Sequence, residues 1–221
     1  MSIIQTTLII QIYQKNPWIV LNDQTRTTDV PDEIKSFLVV IEDKEFFYHY
    51  GINFKGIARA IYRNVMARKI VQGGSSITQQ LARNLLNDNR MTYSRKIKEL
   101  FKAIKLEWRF SKWEILDLYF NHVYFGRGLR GIKSASAFYF SKEVKHLSQI
   151  ECIILLTILR SPNHYLDHVD QLRKRFSLLN QQLLTNKMIT DQQFHSNSKV
   201  KIYIHHNLLS TLQNTTICYV S

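Results

Sequence analysis

Residues 29–51 read DVPDEIKSFLVVIEDKEFFYHYG, and the fold class follows from this stretch and its repetition. Pro31 and the acidic residues around it are typical of the first turn of a helix. Apolar residues then recur at the spacing of one helical face: Ile34, Phe37, Leu38 and Ile41. The stretch therefore predicts a helix with one buried face, which ends by the turn at Gly51.

The same helical spacing continues along the chain, with polar junctions between segments. Helices are expected over 54–65, from Ser75 or Ser76 through Leu85, from Thr92 or Ser94 through Trp108, and from His168 to Met188. Capping-box signatures at Ser111 and Ser148 open two more, and the almost wholly apolar run 150–159 predicts a central buried helix. With only 7 Gly and 3 Pro in 221 residues, the chain is predicted to be mainly α.

Two finer expectations concern single elements. The helix from Thr92 is expected to turn an apolar face towards the core, formed by Ile97, Leu100, Phe101, Ile104 and Trp108. Near the C-terminus apolar residues alternate at Val200, Ile202 and Ile204, which predicts a short strand.

The formal net charge of +13 is concentrated in one part of the chain. Residues 55–112 contain 14 Lys or Arg and 3 acidic residues, a net charge of +11. This excess indicates an anionic partner: a nucleic acid, a membrane surface or a phosphorylated substrate. The segment Phe54 to Val71 is also amphipathic, so it is expected either to lie on an anionic membrane or to pack one face on the core.

The two cysteines and the N-terminal residues exclude several kinds of site and segment. Cys152 and Cys218 give neither a disulfide framework nor the spacing of metal ligands. The uncharged run Met1 to Gln14 is too short and too polar for a membrane span, and it lacks the basic start of a secretory signal. We therefore expect neither a signal peptide nor a transmembrane segment in this sequence.

Three polar clusters could carry chemistry. The first is Glu42-Asp43 with the aromatic Phe46 and with His49, where partial desolvation of a carboxylate would favour its use as a base. An ordinary helix end explains the same residues. The second is Gly73-Gly74-Ser75-Ser76, which precedes a helix as phosphate-binding loops do, with Gln80 and Arg83 close behind. A plain turn is the alternative.

The third cluster is Arg95, Lys96 and Glu99, which share one flank of a helix. It is either a surface ion pair or a carboxylate held among cations that grip a diphosphate.

These clusters, in this order, resemble the motifs of the peptidoglycan glycosyltransferases of family 51. The motif Glu-Asp-x-x-Phe-x-x-His-x-Gly matches residues 42–51, Gly-Gly-Ser-Thr-Ile-Thr-Gln-Gln matches 73–80, and Arg-Lys-x-x-Glu matches 95–99. The fourth and fifth motifs resemble residues 115–128, which include Asn121, and 147–165. The sequence departs from the usual pattern at three places: Ser76 for Thr, Arg83 for Lys and Asp117 for Glu.

The resemblance implies a lysozyme-like helical domain with a smaller membrane-associating lobe, over residues 30–198. An N-terminal extension (1–29) and a C-terminal tail (199–221) would flank it. The implied reaction is inverting transfer between lipid II molecules, which gives β-1,4-linked glycan and undecaprenyl diphosphate. Glu42 would be the base, and Glu99 would orient cations or hold an ion. The substrate would be shaped or bound by Asp43, Phe46, His49, Ser76, Gln80, Arg83, Arg95, Lys96 and Asn121. A divalent ion such as Mg²⁺ could assist at the diphosphate.

The implied partners are lipid II, the growing glycan, the membrane surface and other cell-wall synthesis proteins, with no nucleic acid. The implied location is the outer face of the bacterial cytoplasmic membrane, held peripherally. No penicillin-binding serine motif is visible, so we expect no acylation by β-lactams. Three alternatives stay open at this point: an inactive relative that serves as a scaffold, a lysozyme-like glycan hydrolase, and a basic nucleic-acid-binding module.

Overall fold

The computed structural model describes residues 30–69, 73–86, 92–206 and 215–220, with the backbone alone for 204–206 and 215–220. The predicted N-terminal extension, 1–29, lies outside this part. The described helices are α1 (Asp32–Glu42), α2 (Phe54–Met66), α3 (Ile77–Leu86), α4 (Tyr93–Arg109), α5 (Lys112–His122), α6 (Ile132–Phe140), α7 (Gln149–Leu159), α8 (Pro162–Asp167), α9 (Val169–Thr185) and α10 (Asp191–Ser198). Short 3-10 turns cover Phe46–Tyr48 and Val144–His146. The prediction of a mainly α fold is confirmed.

The core is built around α7, whose residues are buried from Glu151 to Ile158. It packs against α1 and α9, and these two also pack against each other. A second group joins α3 to α4 and α5. The buried face predicted for α1 is confirmed at Ile34, Phe37 and Leu38. The predicted capping boxes at Ser111 and Ser148 are both formed.

Two antiparallel hairpins supplement the helices. Strands β1 (Tyr124–Gly126) and β2 (Leu129–Arg130) form the first, which the sequence analysis missed. Strands β3 (Lys201–His206) and β4 (Thr215–Val220) form the second, with Lys201 opposite Val220 and His206 opposite Thr215. The strand predicted from Val200 to Ile204 is therefore confirmed, and the segment predicted as a tail contains this hairpin. The guanidinium of Arg173 on α9 donates to the Ile202 carbonyl oxygen at 2.7 and 3.0 Å, which ties the hairpin to the helices.

The predicted core face of α4 is wrong. Ile97, Phe101 and Trp108 are exposed, whereas Glu99, Ala103 and Leu106 are buried. The spacing of apolar residues does indicate a helix, but α3 packs against the neighbouring face of α4, where Glu99 meets its cations. The periodicity identifies an apolar stripe and does not identify what covers it.

Helix α2 is also exposed along most of its apolar residues. Only Gly56 and Ala60 are buried, and Phe54, Ile61, Val65 and Met66 face outward. No helix in the described ranges is both long enough and apolar enough to cross a bilayer.

Candidate active site

Glu42 is the last residue of α1 and is partly buried. The side-chain amide of Gln80 on α3 donates to its Oε2 at 3.2 Å. The hydroxyl of Tyr119 on α5 donates to the carbonyl oxygen of the same Gln80 amide at 3.1 Å. Burial, followed by the charge of Glu42, raises the pKa of Tyr119 far above its ordinary value, so this hydroxyl stays protonated. Tyr119 therefore fixes which end of the Gln80 amide faces Glu42.

Asp43 is buried and joins three parts of the site. Its carboxylate accepts from the Asn53 amide at 2.8 Å, from the backbone N–H of Ile77 at 3.3 Å, and bonds His49 Nε2 at 2.8 Å. Because Ile77 is the first residue of α3, Asp43 connects the Glu42 segment directly to the helix that carries Gln80. In this structure Asp43 positions the segment.

Phe46 and Ser76 are also buried, and like Asp43 they hold the segment after Glu42 in position. Phe46 packs in the core, with its ring edge-on to Phe47 and to His49. The Ser76 hydroxyl donates to the Gly51 carbonyl at 2.5 Å and accepts from the Gln79 N–H at 3.1 Å. Gln79 Oε1 accepts in return from the Ser76 N–H at 3.1 Å, so a capping box begins α3. The Gly-Gly-Ser-Ser segment thus supplies a helix cap and a contact with Gly51.

Glu99 is buried on α4 between two cations. Arg95 Nη1 lies 3.1 Å from its Oε2, and the Lys96 ammonium contacts its Oε1. Lys96 also donates to the Ser75 hydroxyl at 3.1 Å, which connects this cluster to the loop before α3. These three residues, predicted to share one flank of a helix, do form one ion-pair cluster.

Two further predicted residues lie on helices of the site. Arg83 is exposed on α3, and its charge acts on Tyr119. Asn121 is partly buried two residues beyond Tyr119 on α5. Their roles in binding a substrate stay predictions.

A groove of about 630 Å³ opens beside Glu42, and most of the charged residues that line it are cations. Its charged lining, besides Glu42, is Lys44, Arg59, Arg63, Arg160 and Arg175. Burial first, and then the charge of Arg160, lowers the pKa of Arg175, while Glu42 acts in the opposite direction. The Nε of Arg175 is buried and makes no hydrogen bond within the described part of the chain. The groove is thus built to receive an anion next to a single carboxylate.

Arg160 and Arg175 are not among the site residues predicted from the sequence. Arg160 follows the end of α7 and Arg175 lies on α9, each more than a hundred residues after Glu42. No local pattern marks them, because the packing of α1 on α7 and α9 is what brings them to Glu42. Arg59 and Arg63 belong to the amphipathic segment Phe54 to Val71, which was expected to lie on a membrane or to pack on the core and not to line this groove.

The donor set around Glu99 does not fit a metal site in this structure. Both carboxylate oxygens are taken by cations, and no group of three or more His, Cys, Asp or Glu suited to a metal occurs in the described ranges. The expected role of Mg²⁺ stays a prediction without a ligand set.

Comparison with known proteins identifies the family. The family model described as Transglycosylase matches residues 14–200. The chain is 42% identical over 149 residues to penicillin-binding protein 1F of Bacillus subtilis (66% of this chain, 21% of that protein). It is 39% identical to penicillin-binding protein 4 of B. subtilis (78% and 28%) and 39% identical to penicillin-binding protein 1A of Aquifex aeolicus (75% and 23%).

The crystal structure of penicillin-binding protein 1A from Haemophilus influenzae covers 55% of this chain and 16% of that chain, with a TM-score of 0.38 and 20% identity. The chain spans between a fifth and three tenths of the length of the three curated relatives named above. The family match covers most of the 221 residues, including all three polar clusters, and the chain therefore belongs to the transglycosylase family.

Proposed function

We propose that this chain is a peptidoglycan glycosyltransferase that polymerises lipid II into β-1,4-linked glycan strands and releases undecaprenyl diphosphate. The observation that carries the proposal is the position of Glu42 at the edge of a groove lined by Lys44 and four arginines. A base beside a cationic groove suits a reaction in which a hydroxyl attacks a sugar with a diphosphate leaving group.

Glu42 acts as the general base. Gln80 holds its Oε2, which leaves Oε1 to accept the proton of the acceptor 4-hydroxyl. The oxygen of that 4-hydroxyl forms a bond to the anomeric carbon of the donor sugar. At the same time the bond from this carbon to the diphosphate oxygen breaks, and its electron pair leaves with the diphosphate. Attack opposite the leaving group converts an α-diphosphate into a β-linkage.

The leaving diphosphate needs neutralisation more than it needs a proton. Arg160 and Arg175 lie in the groove with Glu42, and an incoming anion would offset the desolvation of the Arg175 guanidinium. Arg83, Arg95 and Lys96 add positive charge from α3 and α4, with Glu99 orienting the last two. No step is assigned to Mg²⁺.

The alternatives explain the groove less well. A hydrolase of neutral glycan has no use for five cations around its carboxylate, and a scaffold has no use for the ordered Tyr119–Gln80–Glu42 chain. A nucleic-acid-binding module would use the cations, but it would leave Glu42 and its ordered hydrogen-bond chain without a purpose.

The same proposal places the chain at a membrane surface. Exposed apolar side chains on α2 (Phe54, 75% exposed, with Ile61, Val65 and Met66) and on α4 (Phe101, and Trp108, 84% exposed) are interspersed with Lys and Arg. Apolar side chains flanked by basic ones suit an anionic bilayer, from which a lipid-linked substrate would be taken. We infer a peripheral location on the outer face of the bacterial cytoplasmic membrane, where other cell-wall synthesis proteins would be its neighbours.

Incubation with radiolabelled lipid II in detergent tests the reaction class. The chain should produce long polymer that lysozyme digests, and it should leave preformed uncrosslinked glycan intact. Release of short fragments from that glycan, with no polymer formed from lipid II, would favour the hydrolase instead.

A further inference from the structure

An ion pair outside the predicted site residues holds two parts of the site together. Lys112, the first residue of α5, lies 2.8 Å from Oε2 and 2.9 Å from Oε1 of Glu107 on α4. The Glu107 side chain is 3% exposed and that of Lys112 is 19% exposed. Burial of both charges costs desolvation energy, so the ion pair by itself is weak evidence of a stabilising role. The role of the pair is therefore inferred from the other contacts that its two side chains make.

Each partner of the pair reaches a different part of the site. The Lys112 ammonium donates to the His49 carbonyl at 2.5 Å and lies 4.5 Å from the centre of the Phe46 ring. Glu107 Oε1 accepts from the Thr78 hydroxyl at 2.5 Å. Lys112 therefore contacts the segment that follows Glu42, and Glu107 contacts the first turn of α3.

The relative position of the segment 43–51 and the first turn of α3 sets the geometry at Glu42. Gln80, which donates to Glu42, is two residues beyond Thr78 on α3. Gly51, two residues after His49, has φ +82. It packs so closely against Glu107 that an added Cβ would lie 3.2 Å from the Glu107 Cγ. A shift of α3 against the 43–51 segment would change the Gln80–Glu42 contact directly.

We propose that Glu107 and Lys112 are positioning residues for Glu42, which act by fixing α3 against the segment 43–51. This inference rests on the proposed function. Misplacement of a reacting group by about 1 Å can cost on the order of 100-fold in rate, so loss of the pair should be visible mainly in kcat.

The test compares Lys112→Met and the gentler Thr78→Val with the control Lys142→Met. Lys142 forms an ion pair of the same type with Glu151, at 2.8 Å and with the glutamate side chain also 3% exposed, between the segment after α6 and α7. Polymerisation is measured well below the melting temperature of each variant. We expect kcat to fall about 10- to 100-fold for Lys112→Met and less for Thr78→Val, with KM within about twofold. Lys112→Arg should recover part of the loss, and Lys142→Met should leave kcat within about twofold of the parent's value.

Two kinetic results would overturn the inference: parent-like kcat in Lys112→Met, or an equal loss of kcat in Lys142→Met. An equal loss in Lys142→Met would show that removal of any buried ion pair lowers kcat by destabilising the fold.

A second readout does not depend on activity. The NMR signal of the Gln80 side-chain amide should shift in Lys112→Met and Thr78→Val and stay in place in Lys142→Met. If the parent forms no polymer, the proposed function fails, and the Gln80 signal still decides the positioning role. An unmoved signal in all three variants would contradict it.

Discussion

At the scale of single residues, Asp43 sets more of the geometry than Glu42 does. Glu42 accepts a side-chain hydrogen bond from Gln80, whereas Asp43 joins Asn53, His49 and the start of α3. The adjacent carboxylates therefore have separate tasks: Asp43 is buried and structural, and Glu42 faces the groove.

The change Asp43→Ala should lower the free energy of unfolding by about 3 kcal/mol or more. It leaves several buried donors without an acceptor, at about 1–3 kcal/mol each. Urea denaturation measures the loss. Asp167→Ala, which removes a half-exposed partner of Arg127, should cost less than about 1 kcal/mol. Similar losses from the two variants would contradict the role assigned to Asp43.

His122 should make the protein less stable in acid. Burial first, and then the charges of Arg130 and Lys102, lowers the pKa of His122 below its ordinary value. As the pH falls below about 6.5, the unfolded chain therefore binds a proton that the folded chain resists, and stability falls. The free energy of unfolding should drop between about pH 7 and pH 5, and it should drop less in His122→Gln.

The exposed His195 on α10 provides the control for this prediction. His195→Gln should keep the pH dependence of the parent. If His122→Gln also kept the full dependence, the acid sensitivity would have to arise elsewhere in the chain.

At the scale of elements, α2 and α4 show what apolar periodicity can and cannot establish. The spacing identified both as helices, and the structure confirms this. It could not identify the environment of the apolar stripe, because a core and a lipid surface select the same residue types. For α4 the buried face is instead the one that carries Glu99.

Removal of the apolar stripe of α2 should weaken membrane binding. Changing Phe54, Ile61, Val65 and Met66 to Ser removes about 1 kcal/mol or more of burial per side chain, so partition should fall more than about tenfold. Flotation with vesicles that contain phosphatidylglycerol measures this. Tyr203→Ser, which removes an exposed aromatic residue on β3, should float as the parent does. Unchanged flotation of the α2 variant would contradict a membrane role for this face.

At the scale of the whole molecule, the sequence predicted the parts of the site that lie within short motifs. The segments 42–51, 73–80 and 95–99 each contain their own recognisable pattern, and the mainly α fold follows from helical spacing and caps. Arg160, Arg175 and the Glu107–Lys112 pair could not be predicted in this way. They reach the site through the packing of α7 and α9 against α1, and of α4 and α5 against α3, which no local pattern specifies.

The central claim is that Glu42 is the base in a cationic groove. Its most direct test is polymerisation of labelled lipid II by Glu42→Gln, with Glu45→Gln as the neighbouring control. The variant keeps the shape of the side chain and loses the proton acceptor, so we expect the rate to fall about 100- to 10,000-fold while Glu45→Gln polymerises as the parent does. Polymer formed by Glu42→Gln at the parent's rate would contradict the account.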